Sequence, residues 1–296
     1  MNNTASLPEV RGRYRFDADL DKMCWFGVGG RAFVVFFPAD IDDLVCFLRR
    51  KDPTLYVYVM GVGSNLLIPD DGFQGVVIRL GRGFNYIHHS DLFVTAGAAA
   101  MDLNVALYAA QHAISGLEFL SGIPGTIGGA LAMNAGAYGH DIKSILLEAT
   151  AVDLHGNIKV FSVDDIGYSY RSKTLNDNWI FTEAKFLGKP GCEEGIFINI
   201  KRIQEERLKT QPIKSKTCGS TFKNPQGFKA WELIKNSGLS GASVGGAAIS
   251  TMHCNFIINT GCATANDIEN LIKYVKKTVY ENTGIMLEEE VKRMKI

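Results

Sequence analysis

Residues 116–139 read GLEFLSGIPGTIGGALAMNAGAYG, seven glycines in 24 residues with Glu118 as the one charged side chain. Each glycine adds backbone entropy that folding must overcome, so a chain needing only a core would not concentrate them. A run this dense restricts the chain to folds that lay bare backbone against a ligand or a close neighbour, with N–H groups available for binding. Gly61-Val62-Gly63-Ser64-Asn65-Leu66-Leu67 repeats the pattern on a smaller scale. A third motif, Gly219-Ser220-Thr221-Phe222-Lys223-Asn224-Pro225, sets a hydroxyl beside a glycine.

The chain has 296 residues, which suits two or three domains. Its 31 basic and 31 acidic residues cancel, which argues against a general nucleic-acid binder. No apolar run approaches the roughly 18–20 residues of a membrane span, and MNNTASLPEVRGRYRF lacks the apolar block of a signal peptide. Six cysteines form no CxxC pair and read as reduced thiols of a cytoplasmic protein. The histidines are scattered apart from His88-His89, so no metal site is expected.

Strand and helix alternate at first. Ala32–Pro38 reads as a buried strand, Asp40 opens a helix through Arg50, and Leu55–Met60 and Gly75–Leu80 read as further strands. The middle is expected to hold a helix over Met101–Ala113. Its strands are expected at Leu92–Gly97, Leu147–Leu154, Ile158–Ser162, Trp179–Leu187 and Ile196–Ile200, with a hairpin turn at Asp153–Asn157. Residues 201–216 carry six Lys or Arg against two Glu, a local charge of about +4, which reads as a solvated face or as a pull on a diphosphate. Helices follow over Phe228–Asn236 and about Asn266–Asn282, with a strand at Asn255–Asn259 between them. Ile268, Leu271, Ile272, Val275 and Val279 share one face of the last helix, and Gly284 stops it. The tail Ile285–Val291 reads as a strand returning to another domain. The expected architecture is α+β, divided as 1–80 completed by 285–296, then 81–200, then 201–284.

The motifs each carry a plain alternative. Gly61–Asn65 is either a strand-end turn or an anion nest; it is not G-x-G-x-x-G, which disfavours a Rossmann site. Gly122-Ile123-Pro124-Gly125-Thr126-Ile127-Gly128-Gly129 is either a turn into a close-packed helix start or a second cradle, and Asn134-Ala135-Gly136-Ala137-Tyr138-Gly139 extends it. Neither run has a P-loop lysine, which leaves a pyrophosphate joined to a flat ring system, with FAD the natural candidate. Ser220 lacks a Gly-x-Ser-x-Gly elbow, so a serine hydrolase is weakly supported. Lys223 and Asn224 offer a cation and an amide to a phosphate or uracil. Arg171, in Tyr168-Ser169-Tyr170-Arg171-Ser172, either ends a surface strand or stabilises an anionic oxygen. Alternation puts Glu288 and Glu290 on one face and Glu289 on the other.

Taken together, these pieces resemble the UDP-N-acetylenolpyruvoylglucosamine reductases. The likeness is carried in order by Phe26-Gly27-Val28-Gly29-Gly30, Gly61–Leu67, Gly116–Gly139, Tyr170-Arg171-Ser172, Gly219–Pro225, Gly238-Leu239-Ser240-Gly241 and Leu287–Val291, nearly the whole chain. The resemblance implies an FAD-binding domain of the vanillyl-alcohol-oxidase type, made of two α/β subdomains, and a C-terminal α+β substrate domain. It implies that NADPH reduces a non-covalently held FAD, and that hydride then passes from N5 to C3 of UDP-N-acetylglucosamine-enolpyruvate, yielding UDP-N-acetylmuramate for peptidoglycan. Ser220 would protonate C2, and Arg171 and Glu290 would stabilise the enol-like intermediate. Gly61, Val62, Gly63, Ser64, Asn65 and Leu66, with Gly122, Pro124, Gly125, Thr126, Gly128, Gly129, Asn134 and Gly136, would hold FAD. Tyr170, Lys223 and Asn224 would line the UDP-sugar path. A cytoplasmic enzyme is expected, monomer favoured, with no nucleic-acid or membrane partner.

Two departures stand out. Met23-Cys24-Trp25 replaces the usual Asn-Thr-Phe/Trp, and Cys218 stands where alanine is common. The chain also lacks the tyrosine-bearing loop of the longer branch and so resembles the shorter type. The rival readings are an oxygen-using oxidase of the same fold and a catalytically silent flavin- or nucleotide-sugar-binding module.

Overall fold

A computed structural model describes residues 7–295; residues 1–6, the start of the stretch read as lacking a signal block, and residue 296 lie outside it. Contacts divide the chain into two units. One takes residues up to Arg15, Val34–Gly61 and Gly75–Glu205; the other takes Phe16–Phe33, Val62–Gln74 and Glu206 onward.

The first unit contains a five-stranded antiparallel sheet in the order Ile158–Ser162, Leu146–Asp153, Trp179–Leu187, Phe93–Gly97, Ile87–Ser90. Its core joins Val94, Ala96, Phe181 and Phe186 of the sheet to Ala106, Ala109 and Ala110 of helix Asp102–Gln111, and to Leu120, Ile127 and Leu131 of the glycine-rich run. Small side chains on that helix let it approach the run closely. Asp153 closes the expected hairpin by accepting from the backbone of His155 and Asn157, both at 2.8 Å. A four-stranded sheet, in the order Arg13–Asp19, Arg31–Phe37, Phe73–Ile78, Val57–Val59, carries helix Ile41–Arg50, capped by Asp40.

One expectation fails here. Ile196–Ile200 lies inside helix Glu193–Thr210 rather than in a strand. The run of β-branched residues suggests a strand locally, but Ile196, Ile200 and Ile203 recur at helical spacing and are its buried face. Acids at its start and bases at its end suit the helix dipole. Much of the basic stretch 201–216 is therefore the polar side of this helix.

In the second unit, Ser243–Val244, Ala247–Ile249 and Ile257–Asn259 form a small antiparallel sheet beside helices Ala230–Asn236 and Ala265–Thr283. The long helix buries the five expected residues and ends at Gly284, whose φ of 72° lets the chain turn away. Its start has a capping box from Thr264 and Asp267. Asp70 adds a second cap, its two carboxylate oxygens accepting from Ala265 N at 2.7 Å and Asn266 N at 3.0 Å. The tail pairs later than expected: Lys292–Arg293 run parallel to Leu66–Leu67, and within 285–291 only Glu289 forms a bridge, with Phe222. These ties account for the grouping of 62–74 with the C-terminal third, which cuts across the expected 1–80 division.

Candidate active site

In the first unit, the glycine-rich run forms a short 3-10 helix, Glu118–Gly122, then helix Ile127–Met133. Two leading N–H groups of that helix point back into the protein, Ile127 to Ala100 O and Gly128 to Ala98 O, both at 2.9 Å. Met101 bridges Thr126, and Asp102 N donates to Gly125 O at 3.1 Å. The close-packed helix start, one of the two sequence readings, is thus real. An open side remains. A Cβ added at Gly61 would meet only Thr126 Oγ1, at 2.8 Å, and one at Gly129 only the same atom, at 3.8 Å. Gly61, Thr126 and Gly129 therefore border a common space that side chains would fill. Bare, exposed backbone at Gly61 and Gly129 beside the buried Thr126 hydroxyl fits the phosphates of FAD.

The end of the run builds the setting of Arg171. Asn134, 1% exposed and left-handed at φ 49°, caps the helix. Its amide nitrogen donates to Asp141 Oδ2 and Ser169 O, both at 2.9 Å, and its Oδ1 accepts from Lys143 N at 2.9 Å. The side chain of Asn134 is thereby a brace between the run and the hairpin Tyr168–Lys173. Tyr168 is a second brace: its hydroxyl donates to Leu131 O at 2.7 Å, and burial pushes its pKa up. On the hairpin turn, Arg171 adopts φ 52°, uncommon for a branched-free cation and strained by about 1 kcal/mol or more. Its Nη2 donates to Gly136 O at 2.5 Å, and its guanidinium lies 5.2 Å from the Tyr170 ring centre. A Cβ at Gly136 would meet His140 O at 2.5 Å and Asp141 Cβ at 2.8 Å before Arg171 Nη1 at 2.9 Å, so this glycine is required first by the paired strand His140–Asp141.

In the second unit, Ser220 bridges Phe256, and Thr221 N donates to Asn255 O at 2.7 Å. Asn255 also accepts from Phe222 N and donates to Phe222 O, which fixes the strand after the serine. Among the described residues the Ser220 hydroxyl makes no hydrogen bond. Residues 288–290 run antiparallel to 221–223: Glu290 N donates to Thr221 O and Lys223 N to Glu288 O, both at 2.8 Å. Asn65 joins this ladder, its amide donating to Glu290 O and its carbonyl accepting from Lys292 N, both at 3.0 Å. Segments distant in sequence thus bring Asn65, Ser220 and Glu290 into one framework.

Two other predicted residues already have protein partners. Lys223 pairs with Glu288, a partner that sequence reading missed although Glu288 stands in the acidic run. Asn224 Oδ1 accepts from Ala230 N at 3.0 Å at the start of the following helix. Sequence reading also missed that Cys24 lies against Cys218, both touching the carbonyls of Gly63 and Leu66. The only signal was that both cysteines depart from the family pattern. Among the described residues no cluster of three or more potential ligands could hold a metal, and no helix is long and apolar enough to cross a membrane.

Residues 32–162 match the family described as FAD binding domain, and residues 211–294 that described as UDP-N-acetylenolpyruvoylglucosamine reductase, C-terminal domain. Fold and cradle thus define an α+β flavoprotein, an FAD-dependent oxidoreductase. A UDP-N-acetylenolpyruvoylglucosamine reductase of Parvibaculum lavamentivorans is 49% identical over 98% of this chain and 94% of its own length. One from Rickettsia massiliae is 46% identical over 97% and 98%. The crystal structure of the enzyme from Thermus caldophilus superposes with a TM-score of 0.83 at 32% identity, covering 97% of this chain and 100% of that one. This chain belongs to the UDP-N-acetylenolpyruvoylglucosamine reductase family.

Proposed function

We propose that the chain reduces the enolpyruvyl ether of UDP-N-acetylglucosamine-enolpyruvate to UDP-N-acetylmuramate, a peptidoglycan precursor, in the cytoplasm and with NADPH as reductant. The observation that carries the assignment is the 221–223/288–290 ladder, which fixes Glu290 beside the strand of Ser220 while the serine hydroxyl makes no hydrogen bond among the described residues. Gly61 and Thr126–Gly129 would hold FAD through backbone and hydroxyl, and the resemblance assigns Val62–Leu66 to the same cofactor. When bound, FAD supplies the hydride that C3 receives.

Addition of hydride β to a carboxylate builds negative charge on that carboxylate. Arg171, held in place by Gly136 and Tyr170, is the cation assigned to it, with Glu290 as the second group. Ser220 delivers a proton to C2; a weak acid suffices because the acceptor is a strongly basic carbanion-like centre. Lys223 and Asn224 are assigned to the UDP-sugar path with Tyr170. Since Lys223 pairs with Glu288, a diphosphate there would have to compete with that carboxylate. In this reading residues 1–80, completed by 285–296, and 81–200 serve FAD, and 201–284 the substrate, within a monomer.

The test is NADPH consumption by the FAD-loaded protein with and without the UDP-enolpyruvyl sugar. Substrate-dependent oxidation is expected. Ser220→Ala should keep flavin reduction by NADPH and lose turnover; a variant that turns over near the wild-type rate removes Ser220 from the role of acid.

A further inference from the structure

Cys24 and Cys218 are 194 positions apart in the sequence and occupy one spot in the second unit. The Cys24 sulfur lies 3.0 Å from Leu66 O and 3.6 Å from Gly63 O. The Cys218 sulfur lies 3.4 Å and 3.5 Å from the same two oxygens. Two thiols that share both acceptors are neighbours. They are 7% and 3% exposed. The remaining cysteines, Cys46, Cys192, Cys254 and Cys262, are also free thiols. Neither Cys24 nor Cys218 has a task in the chemistry above, and both replace the residues usual at their positions.

Burial pushes the Cys218 thiol well above its ordinary pKa, while the neighbouring Cys218 holds the Cys24 thiol below its own. A more acidic thiol beside a protonated one is the arrangement of an attacking and a resolving cysteine.

We propose that Cys24 and Cys218 form a peroxide-sensitive dithiol that closes to an intramolecular disulfide. The Cys24 thiolate attacks hydrogen peroxide and breaks its O–O bond. One oxygen stays on sulfur as sulfenic acid, and the other leaves as hydroxide and takes a proton to become water. The Cys218 sulfur then attacks the Cys24 sulfur, loses its proton and expels the sulfenic oxygen as a second water. Two thiols are oxidised and one peroxide is reduced. Once closed, neither sulfur has a hydrogen for the carbonyls of Gly63 and Leu66. A Cβ at Gly63 would sit 2.9 Å from Cys24 Cα, so the loop packs directly on the moving residue. The expected effect on FAD retention and turnover rests on the functional reading above; the disulfide itself does not.

The experiment treats FAD-loaded protein with hydrogen peroxide, alkylates the remaining thiols and maps non-reduced peptides by mass spectrometry, with turnover and filtered free flavin read in parallel. The expected result is a Cys24–Cys218 cross-linked peptide, loss of two of the six thiols, and a fall in turnover that dithiothreitol reverses. Cys218→Ala should remain active untreated and leave a sulfenic acid at Cys24 that a dimedone probe captures. Absence of the cross-link while other thiols oxidise overturns the proposal, and so does capture at Cys218 in Cys24→Ser. If the cross-link forms and turnover is unchanged, the dithiol stands and the functional reading of the Gly63–Leu66 loop falls.

Discussion

Asp102 has the least company of any carboxyl described. It is fully buried at the first position of its helix, and neither carboxylate oxygen has a hydrogen-bond partner among the described residues. Burial pushes its pKa well above the ordinary carboxylate value. The sign of the linkage follows. The folded state holds this proton more tightly than the unfolded chain, so the stabilisation is complete below the unfolded value of about 3.9 and is lost as pH rises through the folded value. Asp102→Asn has no such proton to lose. Its Tm relative to wild type should rise steadily from pH 4 upward, as followed by circular dichroism in a pH series. A constant difference across that range means that Asp102 finds a buried partner. Arg171 is the contrasting case: its strained backbone is held by bonds to Gly136 and stacking on Tyr170, so the energy of folding is used to present a cation.

At the scale of elements, helix Ala265–Thr283 depends on two independent caps. The capping box is local, but Asp70 reaches it from 195 residues away in sequence, accepting from the first two N–H groups. Removing one such cap costs about 1 kcal/mol. Asp70→Ala should therefore lower the urea midpoint without changing the m-value, whereas Thr264→Ala and Asp70→Ala together should depart from additivity because both act on the same first turn. An unchanged midpoint for Asp70→Ala leaves the box sufficient by itself. The same helix shows what was legible in the sequence: its apolar face and Gly284 point one way, and its expected bounds lie within one residue of Ala265–Thr283, whereas its capping box was not read. Ile196–Ile200 reads as a strand because four residues of high strand propensity, Ile196, Phe197, Ile198 and Ile200, outweigh a helical repeat visible only over the longer stretch 193–210. The glycine-rich run disclosed a backbone surface, yet the two-residue strands Gly136–Ala137 and His140–Asp141 left no periodic mark. The Ser220 hydroxyl stood out in its motif, but the roles proposed for Ser220 and Glu290 rest on family resemblance. Their common framework depends on pairing 221–223 with 288–290, a long-range register that no local pattern encodes.

At the scale of the whole molecule, the decisive variable is FAD. Neither Gly61–Leu67 nor Gly116–Gly139 contains a His or Cys to which a flavin could be joined. The cradle proposed at Gly61, Thr126 and Gly129 consists of backbone and one hydroxyl, groups that bind by hydrogen bonding alone. A dissociable cofactor that binds only the folded state must stabilise it by mass action. At a free concentration about 100 times its Kd, the gain is about 2.7 kcal/mol. Tm of the flavin-stripped protein should therefore climb with added FAD, and riboflavin, which lacks the diphosphate, should raise it far less. Acid precipitation should leave the yellow colour in the supernatant. Flavin bands that stay with the pellet mean a covalent link. Equal shifts from riboflavin and FAD mean that the two glycine-rich segments do not hold a diphosphate, and the site must then be sought elsewhere in the chain.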